Sequence, residues 1–135
     1  MAEIKSYVLG SATISELGQS VEAFLRGQGG MEVEGMAGSG GYLVQARQNS
    51  GEWRKFVGLD KAIQVQITPA GAGMVSVDIG QAKWVDKLGV AAVGALVFAP
   101  LVVVAGLGAV SQVRLIAEVQ AHIAAFLSIH GGRPS

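Results

Sequence analysis

Cysteine is absent from the 135 residues, which excludes disulfides, thiol catalysis and cysteine-held metals. Histidine is almost absent: His122 and His130 are the only two, with no carboxylate at ligand spacing, so no metal site is expected. They read as solvated side chains near a helix end. Net charge is absent too, because ten basic and ten acidic residues cancel. No bulk field therefore draws the chain toward nucleic acid or an acidic substrate. Charge of either sign is scarce, at 15% against about 25% in ordinary soluble domains. At the amino terminus Glu3 interrupts the start and no apolar run of signal-peptide length follows. The amino-terminal portion is expected to be cytosolic.

What is present in place of charge is one long apolar stretch, Leu88–Val113, reading LGVAAVGALVFAPLVVVAGLGAVSQV between Lys87 and Arg114. As one helix it would measure about 39 Å, enough to cross a hydrocarbon core of about 30 Å. Pro100 stands near its middle, where a proline inside a helix costs about 3 kcal/mol. The preferred alternative is a helical hairpin with its apex near 99–100, Pro100 being the first-turn residue of the second arm. Each arm would then be apolar over only about 18–20 Å, too short to span a bilayer.

The rest reads as one globular domain. Ile4–Leu9 could add an edge strand. Thr13-Ile-Ser-Glu16 has the form of a capping box, and Ile14, Leu17, Val21, Phe24 and Leu25 follow helical spacing. A helix over about Thr13–Arg26 is expected, ending at the glycines Gly27 and Gly29. Five candidate strands follow: Met31–Met36, weakened by Gly35; Tyr42–Arg47; Glu52–Val57; Ala62–Thr68, stopped by Pro69; and Met74–Ile79. Their alternation implies an antiparallel sheet with one buried and one wet face. Gln112–Ile129 is amphipathic, with Leu115, Ile116, Val119, Ile123, Phe126 and Leu127 on one side. Arg114, Glu118 and His122 lie opposite, and Gly131–Ser135 reads as a frayed tail. The expected fold class is α+β: an antiparallel meander of about five strands covered by N- and C-terminal amphipathic helices, with the apolar hairpin inserted before the second. The parts are a head over 1–87, the hairpin over 88–113, and a C-terminal helix and tail over 114–135 that pack on the head.

GEWRKFVGLDKAIQVQI, QAKWVDK and APLVVVAGLGAVSQVRL together resemble a group of small, uncharacterised bacterial proteins. Those proteins share the order of helix, several strands, apolar segment and amphipathic helix, and some carry a zinc ribbon in front. The resemblance covers most of residues 13–129. This chain has no zinc ribbon, and the resemblance implies no catalytic residue and no cofactor.

Gly38-Ser-Gly-Gly41 lacks the spacing of a dinucleotide fingerprint and reads as a hairpin loop, and no phosphate-binding G-x-x-x-x-G-K-[ST] exists. No serine lies in a nucleophile elbow. Glu32 and Glu34 share one side of a strand, as a solvated face would. Trp53-Arg54-Lys55-Phe56 offers rings and cations that could meet a base or an acidic head group, though such strands more often divide into core aromatics and surface cations. An enzyme is not expected, nor a catalytic, cofactor or metal site.

The expectation is a non-enzymatic membrane-associated or self-associating protein at the cytoplasmic face of a membrane, its partners being membrane lipid or its own copies. The alternative is a soluble cytoplasmic homo-oligomer with the hairpin buried between subunits. An apolar surface of this size needs a partner of one kind or the other. The contact residues expected are Trp84, Leu88, Ala91, Ala95, Leu96, Phe98, Ala99, Pro100, Leu101, Val104, Ala105 and Ala109. Trp84, Lys83 and Lys87 suit a membrane interface, or equally a core tryptophan followed by surface lysines. If Pro100 starts a helix, Pro100→Ala should shift stability by less than about 1 kcal/mol. A gain of several kcal/mol in thermal melts would instead show a strained proline inside one continuous helix.

Overall fold

The computed structural model describes residues 3–28, 31–38, 41–48, 61–83 and 109–134. The elements run β1 (Glu3–Val8), α1 (Ile14–Arg26), β2 (Met31–Gly38), β3 (Gly41–Gln48), β4 (Lys61–Pro69), β5 (Met74–Lys83), α2 (Ala109–Ile129) and β6 (Arg133–Pro134). The fold is α+β. The strands form one antiparallel sheet of six in the order β2-β3-β4-β5-β1-β6. β2 to β5 are a meander, and the first strand closes against the last long one.

The alternation in the strands sets which side chains share a face. Val44 pairs with Val65 and Val65 with Ile79, so these residues stand in one row across β3, β4 and β5. All three are fully buried. Ile63, Ile67, Val75, Val77, Tyr7, Tyr42 and Val33 occupy the same face by register. They form one cluster with Leu17, Val21 and Leu25 of α1 and Ile116, Val119, Ile123 and Leu127 of α2. A fully buried Leu or Ile contributes about 1.5–3 kcal/mol, so this cluster is the chief source of stability.

α1 begins as its capping box requires. The Thr13 hydroxyl accepts from the Glu16 amide at 3.1 Å, and Glu16 Oε1 accepts from the Thr13 amide at 2.9 Å. Such a cap is worth about 1 kcal/mol. The helix then lies close to β2 and β3, and two glycines make room for it. A Cβ on Gly18 would come 2.2 Å from the Tyr42 ring, and one on Gly35 would come 2.2 Å from Glu22 Oε1. Gly35, which weakens β2 as a sequence pattern, is therefore the residue that lets Glu22 reach over the strand.

Several expectations are corrected. β1 is flanked on both sides, by β5 and by the short β6, and is not an edge. The tail is not frayed, because Tyr7 and Val8 pair with Pro134 and Arg133. Ser11 fastens the same corner, its amide and hydroxyl both donating to the His130 carbonyl at 2.8 and 3.2 Å. β5 runs on to Lys83, past the expected end at Ile79. The wet face is the largest correction: Gln45, Gln64 and Gln66 point away from the cluster, yet they are buried, as are Leu43 and Ala62. The candidate strand Glu52–Val57 lies outside the described residues, and β3 pairs directly with β4.

Gly18→Ala tests the close approach of α1. Helix propensity alone favours alanine by about 1 kcal/mol, whereas overpacking against Tyr42 costs about 1–3 kcal/mol. A lower denaturant midpoint is expected, and a higher one would mean that α1 stands further from the sheet.

Candidate functional site

The apolar stretch is held at both ends by the same folded body. β5 ends at Lys83, one residue before Trp84, and α2 starts at Ala109. Both flanking elements supply core residues, Ile79 from β5 and Ile116 and Val119 from α2. Strand register sets Lys61 directly opposite Lys83 where the chain leaves the sheet. Of the expected contact residues, Ala109 is the first residue of α2. Trp84, Leu88, Ala91, Ala95, Leu96, Phe98, Ala99, Pro100, Leu101, Val104 and Ala105 lie outside the described residues, as do Trp53, Arg54, Lys55 and Phe56. Among the described residues no helix is long and apolar enough to cross a membrane.

Three polar clusters stand elsewhere on the folded body. The first joins α1 to β2 and β3. Tyr42 donates its hydroxyl to Glu22 Oε1 at 2.9 Å, Glu22 pairs with Arg26 at 2.6 Å, and Arg26 donates to the Val33 carbonyl at 3.3 Å. Burial, then the hydrogen bond to Glu22, pushes the Tyr42 phenol up to about 12. A phenol held neutral in this way ties a helix to a strand and is no acid at physiological pH.

The second cluster lies on the far face of the sheet. Gln45 donates to Glu34 Oε1 at 3.1 Å, Gln66 to Gln64 Oε1 at 3.1 Å, and Arg47 to Glu32 Oε1 at 3.1 Å. The two glutamates are therefore both bound to side chains of β3, where a freely solvated pair was expected. Asp78 shares this face, opposite Gln66, and its Oδ1 is buried with no hydrogen-bond partner among the described residues. Burial raises the Asp78 carboxyl above its ordinary value.

The third cluster joins the two helices. Ser20 Oγ lies 2.7 Å from His122 Nε2, and the Phe24 ring stacks on the imidazole with centroids 4.6 Å apart. His122 is half-buried here, not solvated, and His130 likewise rests on Phe126, its Nδ1 2.9 Å from the Phe126 carbonyl. Serine and histidine at this distance have the spacing of a nucleophile and its base, but catalysis needs a third group to orient the base. Among the described residues no carboxylate hydrogen-bonds His122. Nor do the described residues hold any group of three or more potential metal ligands.

Ser20, Phe24, Tyr42, Gln45 and Asp78 were not singled out from the sequence. One signal could have found the far face: it carries glutamine where a water-facing strand usually carries lysine or glutamate. No family model, curated protein or solved structure matches the chain.

Asp78 gives a pH test. Its folded-state value lies above the unfolded 3.8, so the unfolded chain loses the proton first and stability falls as pH rises through that window. Asp78→Asn removes the charge, so it should raise the denaturant midpoint at neutral pH. The gain should vanish below about pH 3.8. A lower midpoint at neutral pH would show that the ionised carboxylate has a partner that stabilises it.

Proposed function

We propose that the protein is a non-enzymatic, membrane-associated protein. Its α+β head stands at the cytoplasmic face, and its apolar stretch enters one leaflet as a helical hairpin with the apex near 99–100. The observation that carries this reading is the placement of a charge-free stretch, Leu88–Val113, where the chain leaves β5 and returns as α2. Among the described residues the core cluster is formed by the head's own strands and helices, and an apolar stretch of this size needs an apolar partner.

The charges beside it support the same reading. Lys61 opposes Lys83 in the sheet, and Lys87 follows shortly in the sequence. Like charges directly opposite are unfavourable in water. An anionic membrane surface offsets this, at about 1 kcal/mol per basic residue.

A second reading, self-association, draws on the spacing of Ala91, Ala95 and Ala99, and of Ala105 and Ala109. Small residues every fourth position let two helix backbones approach closely. That stripe suits two arms of one hairpin as well as two chains.

Expression without detergent followed by fractionation is the first test. The membrane reading expects the chain in the membrane pellet, released by detergent and not by high salt. A sharp soluble peak would end it in favour of the soluble oligomer. Ala95→Leu separates the uses of the stripe. It should destabilise the apolar module by about 1–3 kcal/mol in both cases. Only the oligomer also drops to a smaller species on sedimentation, and a monomeric wild type would remove that reading.

A further inference from the structure

The seam between α1 and α2 contains an ionisable group that neither the core nor the membrane reading uses. Elsewhere the two helices meet through Leu17, Val21, Val119 and Ile123, which are indifferent to pH. At Ser20, Phe24 and His122 the contact is of another kind. A hydrogen bond of 2.7 Å crosses from helix to helix, and beside it the imidazole lies against the Phe24 ring at 4.6 Å, within 22° of parallel.

The groups around this imidazole leave it without an anionic partner. From α1 come Ser20 and Phe24; Glu16, a turn earlier, is committed to the Thr13 amide. Glu22 and Arg26 bind each other and turn toward Tyr42 and β2. From α2, Glu118 lies one turn before His122 and pairs with Arg114 at 3.8 Å. Phe126 and then His130 follow, the latter held at the Phe126 carbonyl. By register, Tyr7, Tyr42 and Lys5 stand on the sheet face in contact with the helices.

We propose that the Ser20–Phe24–His122 junction is an acid-released latch that holds α2 against α1, and with it the carboxyl-terminal flank of the apolar stretch. The latch deepens the membrane reading by adding regulation to it, and only its effect on the apolar stretch rests on that reading. Protonation places a charge in a half-buried seam and makes both ring nitrogens donors, so the Ser20 hydroxyl can then only accept. Burial holds the imidazole below its ordinary 6.5, a hydrogen bond to the Ser20 backbone opposing this in part. The folded state therefore takes up the proton later than the unfolded chain. Stability is complete above about 6.5 and is lost as pH falls from there through the folded value.

α2 is the element that would lift first, since its amino-terminal end runs straight into the stretch Leu88–Val113. Acidification would loosen the hold on the carboxyl-terminal flank of that stretch.

Amide hydrogen exchange along α2, corrected for intrinsic rates, tests the latch on the full chain. Between about pH 7.5 and 5.5 the opening equilibrium over Val119–Leu127 should rise about two- to fivefold. In His122→Gln, which keeps a hydrogen-bonding group and cannot titrate, the profile should be flat. The same rise in His122→Gln, or none in wild type, would overturn the latch. Should that variant fail to fold, imidazole resonances of the wild type decide: a His122 midpoint below about 6.5 supports the latch, and one at or above it overturns it. Flotation with phosphatidylglycerol-containing vesicles at both pH values keeps the two ideas apart. No binding at either pH counts against the membrane reading, while the exchange data still decide the latch.

Discussion

The rest of the structure depends on one register: Val44 beside Val65 beside Ile79, three buried residues in a row across the middle of the sheet. A slip of one residue in any of these strands would move its apolar set to the opposite face. Both helices need that face. α1 can lie on it only because residues 18 and 35 lack side chains, and α2 meets it through Ile116, Val119, Ile123 and Leu127. The same pairing draws in the chain ends, since β5 receives β1 and β1 receives β6.

Much of this was legible in the residues. The capping box at Thr13 and Glu16 marked the start of α1, and the alternation through Ile63, Val65 and Ile67 marked β4 and its buried side. Both signals are local, and local signals survive in a single sequence. What was missed depended on partners far along the chain. Arg133 and Pro134 form a strand only because β1 pairs with them on its side away from β5. His122 reads as a polar-face residue of its own helix, and only the docking of α1, 102 positions away in sequence, turns it into a seam residue. The far face of the sheet was missed for a different reason. Alternation distinguishes polar from apolar, but Gln45, Gln64 and Gln66 are polar and buried together. Their amides satisfy one another and Glu34, which keeps the cost of burial low.

The candidate site was legible as composition rather than as geometry. Its contact residues, from Trp84 to Ala105, lie outside the described residues, and what the structure adds is the base they spring from. That base offers paired lysines at the end of β5, a helix entering at Ala109, and a titratable junction two to four turns further along α2. Together they are compatible with the proposed head that presents an apolar segment to a surface.

The central claim is that the apolar stretch meets lipid, and Trp84 reports on it most directly. With Trp53 replaced by phenylalanine, Trp84 is the sole tryptophan, four residues before the stretch begins. A tryptophan at this position belongs at the level of the head groups. Vesicles carrying brominated acyl chains should shift its emission to the blue and quench it. Emission that neither moves nor dims when vesicles are added would contradict the membrane reading.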